Sequence, residues 1–370
     1  MWSPMSLLSR MLLREMALPF LFSFCALSVL LLLGSLLSLL EPLLRTGIGY
    51  VELGKIAILL LPTFWAFVLP MATMLGVLMG FLRLSRDSEM LALFACGTGL
   101  KKLMIPVIMV SITACLVSFF MSSSLIPRAK SASKNFIREL TEHSLARGIP
   151  EKVFFTPISG LTLYVDKSLD QGHCFKGVYI QDARKKQVIY QILARDGELL
   201  ARPGGLEVVL RLKNGILNHI SNDYGKTDTI EFNSYVLHLS LSGKDSKPGR
   251  GELGLRDLLK NASDPDKSDR HRIHYLTEFH QRLALPAGVL ILGIMAAPLG
   301  ILFGRTGLSE GVALGLAAFL AYYLSMAFAG NLADTGSISP VIALWVPNLI
   351  FAGITAGLII LLYKRGPLRG

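Results

Sequence analysis

The sequence predicts a helical membrane protein that also carries an all-β domain. Six transmembrane helices fall in two groups of three, with a water-exposed β segment inserted between the third and the fourth. Three observations predict this. The 370 residues are 52% hydrophobic and only 17% charged, outside the usual soluble range of about 45–50% apolar and about 25% charged. The uncharged residues are gathered into six long runs. Between the third and fourth runs, 155 residues hold all seven histidines and most of the charge. Fibrous, collagenous and disordered chains are excluded, because 34 Gly and 17 Pro show no strict period and the apolar content is too high. Four cysteines, Cys25, Cys96, Cys115 and Cys174, do not make a disulfide-stapled scaffold.

The runs without Asp, Glu, Lys or Arg are Met16 to Leu40, Ile56 to Leu82, Leu103 to Pro127, Leu283 to Gly304, Gly311 to Ala333 and Thr335 to Tyr363, each 22 to 29 residues long. A helix needs about 20 apolar residues to cross about 30 Å of hydrocarbon, so each run spans once. The first is longer than the apolar core of a signal peptide and is read as a retained helix. With the N-terminus cytoplasmic, ten short-loop cations lie inside (Arg10, Arg14, Arg83, Arg86, Lys101, Lys102, Arg305, Lys364, Arg365, Arg369) against two outside, Arg45 and Lys55. That bias puts both termini in the cytoplasm and the long insert outside it. The linear plan is residues 1–127 with helices 1–3, 128–282 with the β domain and its connectors, and 283–370 with helices 4–6. The insert carries +6 of the net +11.

Within the insert, Leu161 to Val165, Phe175 to Gln181, Val188 to Leu193, Leu206 to Leu212 and Ile230 to Leu241 read as strands. Asn214-Gly215 reads as a hairpin turn before a strand at Ile216 to Ile220. Gly172, Gly197 and Gly204-Gly205 punctuate between strands. An all-β sheet, sandwich or jelly roll follows. Arg128 to Arg147 reads as a helical extension of the third span. Ser242 to Gly251 and Asn261 to His271 read as polar connectors.

No Gly-x-x-x-x-Gly-Lys-Ser/Thr, Cys-x-x-Cys or His-Glu-x-x-His occurs. The chain is therefore not expected to be an enzyme, to hold a cofactor or metal, or to have a nucleic-acid partner. His271, His274 and Glu278 mimic a metal set but read better as the polar lead-in to the fourth span. Ion-coupled carriers need ionisable groups at depth, and the six runs have none. Energy for transport must then come from a partner, and an apolar cargo suits the uncharged spans.

Three constellations remain. Residues 85–96, between spans two and three, read as a short cytoplasmic helix with Ser85 as N-cap and Gly97 as stop. Met90, Leu93 and Phe94 share one face with Arg86, near Asp87 and Glu89. That face suits either the membrane surface or a groove on a partner. Small residues recur every four positions, as Ala72, Gly76 and Gly80, and as Gly307, Gly311 and Gly315, fit for packing within the chain or for a subunit interface or gate. Arg45, Lys55, Arg128, Lys130, Lys134 and Arg282 at the outer surface either snorkel to headgroups or bind lipid phosphates.

Leu84-Ser85-Arg86-Asp87-Ser88-Glu89-Met90 running to Ala95-Cys96-Gly97, Pro62 and Pro70 before it, the β insert, and Glu278-Phe279-His280-Gln281-Arg282-Leu283-Ala284-Leu285-Pro286 leading to Ala297-Pro298-Leu299-Gly300 together resemble the LptF/LptG permease family. The Asp-Ser-Glu loop looks more like LptF. The resemblance covers essentially the whole chain. It implies a heterodimer of LptF and LptG in the inner membrane of Gram-negative bacteria, a cytoplasmic LptB ATPase dimer that binds ATP and Mg, and the single-span partner LptC. It also implies extraction of lipopolysaccharide from the outer leaflet toward a periplasmic bridge of β-jellyroll domains, the insert being one of these. By the same resemblance Glu89 occupies the acidic coupling position on the ATPase, with Arg86, Asp87, Met90, Leu93 and Phe94 beside it. Family members carry basic residues near the outer end of the first span; here that run has none before Arg45. Two rivals remain: a non-transporting scaffold or sensor that binds an envelope ligand, and an ABC permease for another lipid or for lipoproteins.

Overall fold

The structure, a computed structural model, describes residues 7–45, 50–146, 151–158, 160–169, 174–185, 188–201, 207–221, 227–240, 248–304 and 307–365. In chain order the helices are α1 (Leu7–Arg45), α2 (Tyr50–Arg86), α3 (Glu89–Ala95), α4 (Leu100–Phe120), α5 (Ile126–Ala146), α6 (Leu255–Ala262), α7 (Asp269–Phe303), α8 (Leu308–Asp334) and α9 (Pro340–Arg365). Among the described residues, six stretches are long and apolar enough to cross a membrane: Leu7–Leu37, Val51–Arg86, Leu100–Ile137, Asp269–Phe303, Leu308–Asp334 and Pro340–Lys364. A helix satisfies its own backbone groups, which is what hydrocarbon demands of a spanning segment. The third span is compound. A single π turn at Met121–Leu125 joins α4 to α5, the helical extension read from the sequence. Pro62, Pro70, Pro106, Pro286, Pro298 and Pro347 all lie inside helices.

The chain divides into two compact units, Met1–Ser35 with Ala57–Ser131 and Pro248–Gly370, and Leu36–Ile56 with Ala132–Lys247. In the first, α7 is the axis. Of its most apolar window 61% is buried, against 11% for α1, and it packs on α4, α8 and α9. Buried Asn348 of α9 donates to the carbonyl of Ala284 in α7 (2.9 Å) and accepts from the Tyr322 hydroxyl of α8 (2.8 Å). Uncharged polar ties of this kind hold helices together where apolar burial supplies no driving force.

The second unit holds the sheet. Its strands are β1 (Phe155–Ile158), β2 (Leu161–Leu169), β3 (Cys174–Lys185), β4 (Val188–Ala201), β5 (Glu207–Ser221) and β6 (Thr227–Ser240), paired antiparallel in chain order. One detail of the ladder organises its core. Val178 and Phe175 are both buried though three residues apart; Ala194 and Leu199, and Leu212 and Leu217, are both buried at five. Odd spacings place side chains on opposite faces of an unbroken pleat. The break lies along one row. Pairing is present on either side, but Asp166–Gly177, Gly177–Arg195, Arg195–Asn214 and Asn214–Asn233 do not pair. Gly177 (φ 65°) and Asn214 (φ 55°) take left-handed backbone there, which Gly and Asn tolerate best. The sheet is thus creased across its strands and folded over, as strands do when they pass from one layer to another. Leu161, Leu163, Ile180, Leu210 and Leu212 become fully buried in a single meander.

The expected jelly roll is therefore built by folding one chain-ordered sheet, with no Greek-key crossover among the described strands. Asn214-Gly215 is not a hairpin turn: it lies inside β5, because its left-handed residue serves the crease. Gly197 likewise sits within β4. Strand β1 and helix α6, which carries buried Leu258 and Ala262, are additions to the sequence reading. Gly172, Gly204-Gly205, Arg305 and residues 242–247 lie outside the described residues.

Candidate functional site

The loop after α2 is built differently from its sequence reading. Ser85 does not cap α3, since α2 continues through Arg86. The break falls at Ser88, whose left-handed backbone (φ 62°) turns the chain before Glu89. α3 ends as expected at Gly97 (φ 78°): the Gly97 N–H donates to Phe94 O (2.9 Å) and Thr98 N–H to Leu93 O (3.0 Å), closing the last carbonyls. Met90 is buried (3% exposed), and Leu93 and Phe94 pack half-buried on the same core as α2, α4 and α7. The apolar face of α3 is therefore occupied by this chain's own bundle. Arg86, Asp87, Ser88, Leu91, Ala92 and Ala95 are exposed, and Glu89 is half-exposed beside them. Arg83 ties the loop to its neighbours: it pairs with Glu15 of α1 and lies 3.6 Å from Asp87, which also accepts from Arg86 (3.2 Å). Phe94, Gly97, Thr98, Gly99 and Leu100 line a pocket of about 290 Å³ with Leu362 and Tyr363 of α9.

The two small-residue stripes meet opposite sides of α2. A Cβ at Gly76 would lie 2.7 Å from Phe20 Cβ, and one at Gly80 3.1 Å from Met16 Cγ, so these glycines seat α1. At Gly311 and Gly315 of α8 it would meet Leu82 (2.4 Å) and Leu78 (2.3 Å) of α2. These four pack helices within the chain. Gly307 does not: nothing lies near it, and its backbone (φ 143°) turns the chain into α8. On the side of α2 facing α7, Gly300 and Gly304 accommodate Phe81 and Ser85 in the same way. α2, which carries α3 at its end, thus touches α1, α7 and α8 along its length.

The basic candidates differ in their surroundings. Lys55 stands over the Phe136 ring (5.6 Å), and Arg128 and Lys130 are exposed on α5. Lys134 is half-buried with a partner inside the chain. The side chain of Arg45 lies outside the described residues. Arg282 is 5% exposed and fully engaged: it donates to the carbonyls of Leu253 (2.6 Å) and Arg250 (3.1 Å) and pairs with Glu278 (2.9 Å). The structure thus places Arg282 in a buried intrachain network rather than at an exposed surface. The sequence reading also missed its companion. Arg250 forks onto Asp334 at the end of α8 (2.7 and 2.9 Å), with Glu278 at 3.8 Å, and Asp334 also pairs with His274 (3.1 Å). The hydrogen bond to Asp334 raises the already high pKa of Arg250 against partial desolvation, keeping it a permanent cation. His274 is thereby a hydrogen-bond partner of Asp334 and Glu278 an ion-pair partner of the two arginines; among the described residues no group of His, Cys, Asp and Glu is arranged for a metal.

Residues 10–364 match the family model described as lipopolysaccharide export system permease LptF/LptG. The chain belongs to the LptF/LptG family. This is a family of permeases rather than of ATPases, and the six spans with an inserted β domain are its architecture here. Among relatives of the LptF/LptG type, the chain is 21% identical over 315 residues to lipopolysaccharide export system permease protein LptF of Escherichia coli (strain K12), covering 83% of this chain and 81% of that one. The LptF of Shigella flexneri matches to the same extent. An uncharacterized protein, RP871, of Rickettsia prowazekii (strain Madrid E) is 23% identical over 256 residues, 68% of this chain and 69% of its own.

Proposed function

We propose that this chain is the LptF-type permease subunit of an inner-membrane ABC transporter that extracts lipopolysaccharide and passes it through a periplasmic β domain toward the outer membrane. In this reading both termini are cytoplasmic, a paralogous LptG subunit completes the membrane path, LptC joins the β domain, and an LptB dimer binds ATP and Mg and supplies the energy. The observation that carries it is the seating of α3. Its apolar residues Met90, Leu93 and Phe94 are taken up by the bundle, so Arg86, Asp87 and Glu89, with exposed Leu91, form a mainly polar handle at the end of α2. A push on that handle acts on α2, whose glycine contacts with α1, α7 and α8 distribute it across the spans. Acyl chains cost about 0.8 kcal/mol per CH₂ to expose to water, so the cargo needs an apolar route throughout. The uncharged spans and the creased apolar interior of the sheet both meet that need.

Purification of the intact membrane complex tests this directly. A stoichiometric ATPase together with bound lipopolysaccharide, identified by mass spectrometry, is the expected result. An ATPase with a different lipid or a lipoprotein makes the chain a permease for another cargo, and absence of any ATPase makes it a scaffold. Within an assembled complex, Glu89→Ala is expected to uncouple ATP hydrolysis from lipid release; normal release by that variant overturns the coupling role of α3.

A further inference from the structure

The short turn Arg250–Glu252 comes ten residues after β6 ends at Ser240, where the chain returns from the β insert. Three spans converge on this turn. From the third, the Lys130 side chain lies over Gly251, where a Cβ would be 3.1 Å from Nζ. From the fourth, Arg282 holds the carbonyls of Arg250 and Leu253, and Glu278 balances both guanidinium groups. From the fifth, Asp334 receives the Arg250 fork and is backed by His274. Such a fork fixes direction as well as distance, because two parallel N–H groups must meet two oxygens. The bundle does not depend on it for its own cohesion: α7, α8 and α9 are already joined by Tyr322, Asn348 and Ala284 within an apolar core. What the fork adds is a fixed position for the turn.

We propose that Arg250 is a positioning residue for export: through Asp334 it straps the turn by which the chain returns from the β insert to the ends of the fourth and fifth spans. The inference rests on the proposed route from spans to sheet. It predicts that losing the strap impairs hand-over of cargo to the sheet while leaving ATPase assembly and ATP hydrolysis intact.

The test uses the full complex in vesicles containing lipopolysaccharide, with a photo-crosslinking side chain in place of Tyr235 to report arrival in the sheet. Arg250→Met and Asp334→Asn are each expected to lower ATP-dependent crosslinking by about fivefold or more. The double variant falls no further than the worse single, because the two residues act as one pair. Amide hydrogen exchange across residues 249–254 rises in all three. Unchanged crosslinking in either single variant, additive losses in the double, or unchanged exchange overturns the strap. If the unsubstituted complex hydrolyses ATP but delivers no lipopolysaccharide to the sheet, the functional reading fails instead, and the exchange measurement alone decides whether the strap exists.

Discussion

α3 and the Arg250–Glu252 turn both connect long helices, and they are anchored by opposite chemistries. α3 is held by apolar side chains: Met90 is buried and Leu93 and Phe94 lie beside it, so the charged residues around it remain outward. The turn has almost no apolar surface and is held by guanidinium groups, so its charges are consumed in holding it. An apolar anchor leaves a polar surface free for a partner, whereas an ionic anchor does not. That difference separates a candidate docking handle from a structural knot, although both are rich in charge in the sequence.

The largest expected effect is at the ionic anchor. Arg282→Met strands Glu278 and two carbonyls in a buried site and should destabilise the protein by about 3–5 kcal/mol, read from thermal unfolding in detergent. A loss below about 1 kcal/mol would mean that the charges there are solvated and the contrast false. Met90→Ala removes the apolar anchor of α3 and should cost about 2–4 kcal/mol, with proteolytic nicking between Arg86 and Gly97 as a local readout. Gly97→Ala leaves the packing alone and forces a left-handed alanine, for about 1 kcal/mol. Glu89→Gln, on the free surface, should change stability by less than about 0.5 kcal/mol and yet weaken ATPase retention. A large stability loss there would show that Glu89 belongs to the anchor rather than the handle.

Composition made the spans legible, because a charge-free run long enough to cross hydrocarbon has few alternatives. Strand alternation exposed most of the sheet for the same local reason. What stayed hidden depended on residues far apart in the chain. Arg282 reads as a surface cation until the carbonyls of Arg250 and Leu253, 32 and 29 positions away, are seen to fill its fork. Met90, Leu93 and Phe94 show as one apolar face in the sequence, but only the bundle determines that the face turns inward. Asn214-Gly215 has the composition of a turn, and the left-handed backbone is there, yet the neighbouring strands use it to crease the sheet rather than to reverse the chain. The small-residue stripes were legible as close packing, while their common partner α2 was not.

The chain-ordered sheet also bears on how the protein is made. Every strand from β2 onward pairs with the one synthesised just before it, so no pairing waits for a distant segment. Topologies dominated by such local contacts form fastest. Hairpin by hairpin, the insert can assemble while the last three spans are still on the ribosome, limiting the time that its apolar inner face and unpaired edges stand exposed to aggregation.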